Sequence, residues 1–76
     1  MPIIQRFLAC AIYINARDHN PPHFHIRMSD GREAFVEIER LEVHSSNVSR
    51  REIKEALEWA AINKALLMEK FREYNP

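Results

Sequence analysis

23-HFHIRMSDGREAFVEI-38 is the stretch that decides the fold of this chain. On either side of its SDG turn, apolar and polar residues alternate, which is typical of strands with one buried face. A three-residue loop with Gly31 in the left-handed region places the apolar residues of both strands on the same face. We therefore predict an antiparallel hairpin with strands over residues 23–28 and 33–38. The expected pairs are His23 with Glu37, Phe24 with Val36, His25 with Phe35, Ile26 with Ala34 and Arg27 with Glu33.

Two further strands and one helix complete the predicted fold. Residues from about 6 to 15 are apolar on both faces and predict a strand, and a short strand is expected over residues 41–44. Ser49-Arg50-Arg51-Glu52 has the spacing of a capping box, and no Gly or Pro follows it until the chain's last residue. A helix is therefore expected over about residues 50–72. The fold class is α+β, an antiparallel meander of three to four strands packed on one long C-terminal helix.

The predicted helix carries two apolar stripes. One stripe is expected to cover the sheet and consists of Ile53, Ala56, Leu57, Ala60, Ala61, Leu67, Met68 and Phe71. A second stripe, formed by Trp59, Ile62 and Leu66, points nearly the opposite way. Such a patch commonly marks an interface, so we expect it to bind a cognate small protein or a second copy of the chain. The alternative is that the N-terminal segment or the chain's own tail folds over it.

Length and composition limit the classes of function. Seventy-six residues predict one thin domain over residues 1–76, of a size that often gains stability from a metal or a partner. The lone Cys10 excludes an intrachain disulfide and fits a reducing cytoplasm. Eleven basic and eleven acidic residues cancel, which argues against nonspecific nucleic-acid binding. The chain lacks a signal-peptide pattern and any apolar run of roughly 18 residues, so we expect no membrane span and a cytoplasmic location.

The chemistry is concentrated in the segment 18-DHNPPHFH-25. Pro21 and Pro22 restrict the backbone, although the sequence does not decide whether either preceding peptide bond is cis. The segment therefore presents its histidines with little conformational freedom, as a preorganised site requires. The catalytic candidates are His19, His23 and His25, and the ligand-binding candidates are Arg17, Asp18, Arg27 and Glu37.

Three interpretations of this segment stay open. In the first, the three histidines act as acid–base groups of a site for an anion, as in a metal-independent ribonuclease, with Arg17 or Arg27 stabilising negative charge. In the second, the same histidines hold zinc or another divalent metal, with Asp18 or Glu37 as a fourth ligand or outer partner. In the third, the histidines only lock a turn through hydrogen bonds to the backbone.

The sequence resembles the small bacterial family known as domain of unknown function 4160. The resemblance is carried by Met1–Phe7, Asp18–His25, Glu33–Ile38 and Ala56–Ala60. The sequence differs from the family in the turn after the predicted strand over residues 33–38, where the family usually has a glycine and this chain has Glu39-Arg40-Leu41. Proteins of this family are often encoded beside another small protein, so the resemblance implies a toxin–antitoxin-type component with a protein partner, and a site that engages RNA or a nucleotide.

Two functional classes follow from these observations. The first is the toxin–antitoxin-type component, which as an enzyme would be a metal-independent or metal-assisted ribonuclease or phosphodiesterase. The second is a metal-binding or protein-binding module without catalysis, such as a regulator or a phage-encoded inhibitor.

Overall fold

The structure, a computed structural model, describes residues 3–76 and shows an α+β fold. Met1 and Pro2, which belong to the opening segment of the resemblance, lie outside the described residues. One antiparallel sheet has the strand order β1-β2-β3-β4-β5. Its strands are β1 (Ile3–Arg6), β2 (Cys10–Tyr13), β3 (His23–Met28), β4 (Glu33–Glu37) and β5 (Val43–His44).

The central hairpin of β3 and β4 has the predicted register. All five expected residue pairs are present, from His23 opposite Glu37 to Arg27 opposite Glu33. Gly31 has a φ of 95°, so the three-residue loop uses the left-handed conformation that glycine adopts readily. The alternating apolar residues of both strands are buried.

The single strand predicted over residues 6–15 is wrong. The chain turns back after β1, where the backbone N–H of Phe7 donates a hydrogen bond to the carbonyl of Cys10 over 2.7 Å. Leu8 is fully exposed at this turn. The turn was hidden because the sequence Phe7-Leu8-Ala9 contains none of the residues that commonly mark turns. In the described part of the chain, residues 3–76, the sheet therefore has five strands instead of three or four.

The single long helix predicted over residues 50–72 is also wrong. A 3₁₀ turn (Arg51–Ile53) leads into α1 (Lys54–Ile62), and α2 (Lys64–Tyr74) follows after Asn63. Asn63 has φ −113° and ψ 27°, outside the helical region. Its side-chain amide donates to the Trp59 carbonyl over 2.8 Å, so it competes with the helical hydrogen bonds. None of the helices in residues 3–76 combines the length and the apolarity that a membrane span requires.

The predicted capping box at the helix start is present. The backbone N–H of Ser49 donates to the Glu52 carboxylate over 2.9 Å, and the Glu52 N–H donates to Ser49 Oγ over 3.4 Å. Val48 and Ile53, which flank this box, are buried. The chain therefore enters the helical region at the expected residue.

The two helices cover the inner face of the sheet with most of the first predicted stripe, although Ala61 is exposed. Part of the second stripe is covered by the chain itself, because the Phe7 ring packs edge-on against the Trp59 ring, with 6.3 Å between the two ring centroids. Ile62, by contrast, is 85% exposed. The shared core consists of Cys10, Ile12, Ile14, Phe24, Ile26, Met28, Ala34, Val36, Ile38, Val48, Ile53, Ala56, Leu57, Ala60, Leu67 and Phe71.

Candidate metal centre

The loop from β2 to β3 is fastened to the end of α2. The side chain of Asn75 accepts a hydrogen bond from the Asp18 backbone N–H and donates one to the Asn15 carbonyl over 3.0 Å. The Asn20–Pro21 peptide bond, whose isomer the sequence left open, is cis. The hydrogen bond from the Asp18 backbone to the Asn75 side chain therefore holds Asp18 in place, although the two residues are far apart in sequence.

Two histidines of β3 converge on one carboxylate oxygen. Nε2 of His25 lies 2.9 Å from Asp18 Oδ2, and Nε2 of His23 lies 3.1 Å from the same atom. His23 is only 7% exposed, and Asp18 and His25 are half-buried. These three residues, which we call the Asp18 cluster, bring three metal-ligating atoms within 4.8 Å of one another.

The hydrogen bond of His23 to its own loop fixes which ring nitrogen carries a proton. Nδ1 lies 2.8 Å from the carbonyl oxygen of Pro21, which can only accept, so Nδ1 carries the hydrogen. In a neutral ring, Nε2 then has a lone pair, and this lone pair faces the Asp18 carboxylate. Two acceptors at this distance repel each other. The cluster therefore needs one additional positive charge, either a second proton on His23 or a cation.

The Asp18 carboxylate is ionised at neutral pH. Burial alone would raise the pKa of Asp18, but the hydrogen bond from His25 and the charges of both histidines together lower it below the usual range. An ionised carboxylate only accepts hydrogen bonds, and it is also a hard ligand for cations. The pKa shift of Asp18 thus keeps its carboxylate ionised, and the histidine protons that cause the shift are those that a bound cation would replace.

The Asp18 cluster forms one wall of a cleft of about 390 Å³. His19 lies on its exposed side, with its ring centroid 6.3 Å from that of His23. The full lining is Asp18, His19, Asn20, Pro21, His23, His25, Phe35, Glu37 and His44. The structure therefore brings the three predicted histidines together with both predicted acidic residues.

The two predicted arginines lie outside this cleft. Arg27 pairs with Glu33 at 3.0 Å and lies over the Tyr13 ring, 5.9 Å from its centroid. Arg17 lines a neighbouring groove beside the chain's C-terminus. Within residues 3–76, the cleft lining contains two carboxylates and no lysine or arginine. Its charge consequently suits a cation better than an anion.

Two aromatic rings that line the cleft, Phe35 and His44, were not among the site residues predicted from the sequence. His44, which the sequence placed at the end of a short strand, stacks on the Phe35 ring with 4.7 Å between the ring centroids and an interplanar angle of 11°. Nε2 of His44 also lies 3.3 Å from Glu37 and 3.4 Å from Glu42. The available signal was the alternation of β4, which puts Phe35 and Glu37 on one face, combined with a neighbouring strand that ends at His44.

Comparison with known proteins identifies a family. A model of the family described as domain of unknown function (DUF4160) matches residues 9–72. The matched region contains the whole Asp18 cluster and every residue of the cleft lining. Searches of curated proteins and of solved structures each gave no significant match.

Proposed function

This chain belongs to the DUF4160 family, and we propose that it binds a divalent transition metal through Asp18, His23 and His25. The observation that carries the proposal is the approach of two imidazole Nε2 atoms to one carboxylate oxygen, at 2.9 and 3.1 Å. A cation bound among these three atoms would supply the positive charge that a second proton on His23 supplies without it.

The geometry of the cluster fits metal coordination. Zinc binds nitrogen and oxygen at about 2.0–2.2 Å, so ligand atoms at adjacent coordination positions lie roughly 3 Å apart. The N–H of His23 Nδ1 is held by the Pro21 carbonyl, which is the outer contact that orients most metal-bound histidines. The ring is thus already turned to direct its Nε2 lone pair toward Asp18.

The ligand set selects a class of metal. Imidazole nitrogens suit zinc, iron, nickel and copper, whereas magnesium and calcium prefer sites built from oxygen alone. Two histidines and one carboxylate leave coordination positions open. His19 lies outside the three-residue group, on the exposed side of the cleft, where it would contact water bound to the metal or move in as a fourth ligand. When bound in such a site, the metal acts as a Lewis acid and lowers the pKa of bound water.

Calorimetric titration of zinc into metal-free protein tests the proposal. We expect one zinc per chain, and an affinity loss of more than about 100-fold in Asp18→Asn, His23→Ala and His25→Ala, because outer contacts alone change metal affinity by about 10–100-fold. His44→Ala is the matched control, since His44 lines the same cleft outside the Asp18 cluster. Equal zinc affinity in wild type and Asp18→Asn would refute the site. Loss of affinity in His44→Ala alone would move it to Glu37, Glu42 and His44.

We also propose a protein-binding surface at Ile62 and Leu66, whose partner is a cognate small protein or a second copy. The supporting observation is that Ile62 stays 85% exposed although Trp59 beside it packs on Phe7. Ile62→Glu tests this surface with little effect on the fold, whereas Trp59→Glu would disturb the Phe7 contact. Light scattering should show a complex or dimer for wild type and a monomer for Ile62→Glu. A wild-type monomer that forms no complex with the protein encoded beside it would contradict the proposal.

The cellular role that we propose follows from the family resemblance: a cytoplasmic toxin–antitoxin-type component that acts on RNA as a metal-assisted phosphodiesterase. Expression in a bacterium, alone and with the neighbouring gene, tests it by following growth and RNA integrity. Growth arrest and RNA loss should disappear in Asp18→Asn. Normal growth and intact RNA, together with measured zinc binding, would instead identify a metal-binding module without catalysis.

A further inference from the structure

Resting on the proposed metal site, we infer that the cleft binds a nucleotide, with the phosphate at the metal and the base against Phe35. The inference joins two features of one cleft: the Asp18 cluster and an exposed aromatic ring beside it. Each feature has a ligand chemistry of its own, and a nucleotide combines both.

The aromatic ring belongs to a row that crosses the outer face of the sheet. Strand pairing places Tyr13 beside His25, His25 beside Phe35 and Phe35 beside His44. Tyr13 is buried, whereas Phe35 is 41% exposed and borders the cleft. One face of the Phe35 ring stacks on His44, with 4.7 Å between the centroids, so a base would contact the part of the ring that His44 leaves exposed. The Phe35 ring lies 5.4 Å from the ring of His23, centroid to centroid. A single small ligand can therefore contact Phe35 and the Asp18 cluster together.

The charge of the cleft indicates which chemical group of the ligand binds at the metal. Without a cation, Asp18 and Glu37 make the cleft repel anions. A divalent cation in the Asp18 cluster reverses the sign at that point, because its two charges exceed the single charge of Asp18. Phosphate binding should consequently depend on the metal.

The remaining lining suits a nucleobase. Aromatic side chains bind bases of any sequence by contact between π systems. Asn20 adds an amide that can donate and accept hydrogen bonds at a base edge. The cleft volume of about 390 Å³ lies within the range of small-ligand sites.

Calorimetric titration of AMP and of ribose 5-phosphate into zinc-loaded protein tests this inference, because the two probes differ only by the base. AMP should bind about tenfold more tightly, the effect expected of one base–aromatic contact. Phe35→Leu should remove this preference, and Phe35→Tyr should retain it. Phe35 packs against the zinc ligand His23, so the zinc affinity of each variant is measured first and both probes are titrated at a zinc concentration that saturates it. Zinc-free protein should bind neither probe.

The outcomes separate this inference from the metal site. Equal affinity for the two probes, or an unchanged AMP preference in Phe35→Leu, would overturn nucleotide recognition and leave the metal site standing. Zinc-loaded protein that binds neither probe would do the same. If zinc itself fails to bind in a titration without either probe, the metal site and the nucleotide inference fall together.

Discussion

Two polar clusters lie near opposite ends of β3, and they differ in whether each hydrogen-bond donor faces an acceptor. In the cluster around Arg32, the guanidinium contacts the Asp30 carboxylate at 2.9 Å and the Glu52 carboxylate at 2.8 Å. Each of these contacts joins a donor to an acceptor. In the Asp18 cluster, the lone pair of a neutral His23 faces a carboxylate oxygen.

This difference teaches which cluster is structural and which is a candidate site. The Arg32 cluster is complete without a ligand and ties the β3–β4 turn to the start of the helical region through Glu52. The Asp18 cluster is complete only with an added cation or proton. Both clusters are rich in charged groups, but only in the Arg32 cluster does every contact between charged groups join a hydrogen-bond donor to an acceptor. The predictions below test this separation.

The largest expected effect is the stabilisation of the fold by zinc. At a zinc concentration of about 100 times Kd, the free energy of unfolding should rise by about 2.7 kcal/mol. For a chain of this length, this corresponds to an increase in Tm of roughly 10–20 °C. Thermal unfolding followed by circular dichroism should show this increase in wild type and in Arg32→Ala, but not in Asp18→Asn. An equal increase in the Tm of Asp18→Asn on adding zinc would show that the Asp18 cluster does not bind the metal, and would contradict the difference drawn between the two clusters.

The next effect concerns the contact that places Asp18. Asn63 and Asn75 both end a helix with a side-chain amide bonded to the carbonyl four residues earlier, at 2.8 and 3.0 Å. Only Asn75 also accepts the Asp18 N–H. Asn75→Ala should therefore lower zinc affinity about tenfold, as loss of an outer contact does.

Asn63→Ala is the matched control for this contact, because it removes the equivalent bond to a helix end without touching Asp18. It should leave zinc affinity unchanged, as measured by the same calorimetric titration. A loss of zinc affinity as large as that of Asn75→Ala would show that general loosening of the helices, and not the position of Asp18, controls the site.

A smaller effect is expected at the helix start. Ser49→Ala removes the side-chain acceptor of the capping box and should lower the free energy of unfolding by about 1 kcal/mol. Zinc affinity should not change, because Ser49 contacts Glu52 of the Arg32 cluster and lies outside the Asp18 cluster. Urea unfolding and zinc titration of the same variant check both statements. A weaker zinc affinity would mean that the two ends of the sheet are coupled.

The smallest effect is a pH dependence that Glu52 contributes. The hydrogen bonds from the Arg32 side chain and the Ser49 backbone lower the pKa of Glu52 from 4.5 to about 2. Since the folded state holds the lower pKa, this stabilisation is complete above pH 4.5 and is lost as the pH falls toward 2. The urea midpoint of wild type should exceed that of Glu52→Gln above pH 5, and the difference should shrink in acid. A difference that is constant with pH would contradict this role.

The sequence predicts the central hairpin well, because alternation in β3 and β4 is unbroken and Gly31 marks the loop. It predicts the turn after β1 poorly, because Phe7-Leu8-Ala9 looks like continuing strand. The helix break at Asn63 escapes notice since periodicity continues on both sides of it. The turn after β4 is unusual in another way: Leu41 has a φ of 53°, a left-handed conformation costly for residues other than glycine.

The candidate site could be predicted only in part. Strand periodicity places His23 and His25 on one face, and it pairs His23 with Glu37. The approach of Asp18 depends on Asn75, which is far away in sequence, so no local pattern indicates it. The departure of Arg27 from the site, by contrast, follows from the predicted hairpin register, which pairs it with Glu33 six residues along the chain. A long-range contact thus decides that Asp18 joins the histidines, whereas a local pairing removes Arg27.

Nitrogen NMR of the imidazole rings during zinc titration tests the central claim most directly. With one equivalent of zinc, the Nε2 resonances of His23 and His25 should shift to metal-bound values, while Nδ1 of His23 keeps its proton and the ring of His44 stays unchanged. Unchanged Nε2 resonances for His23 and His25, or a shift confined to His44, would contradict the claim that the Asp18 cluster is a metal site.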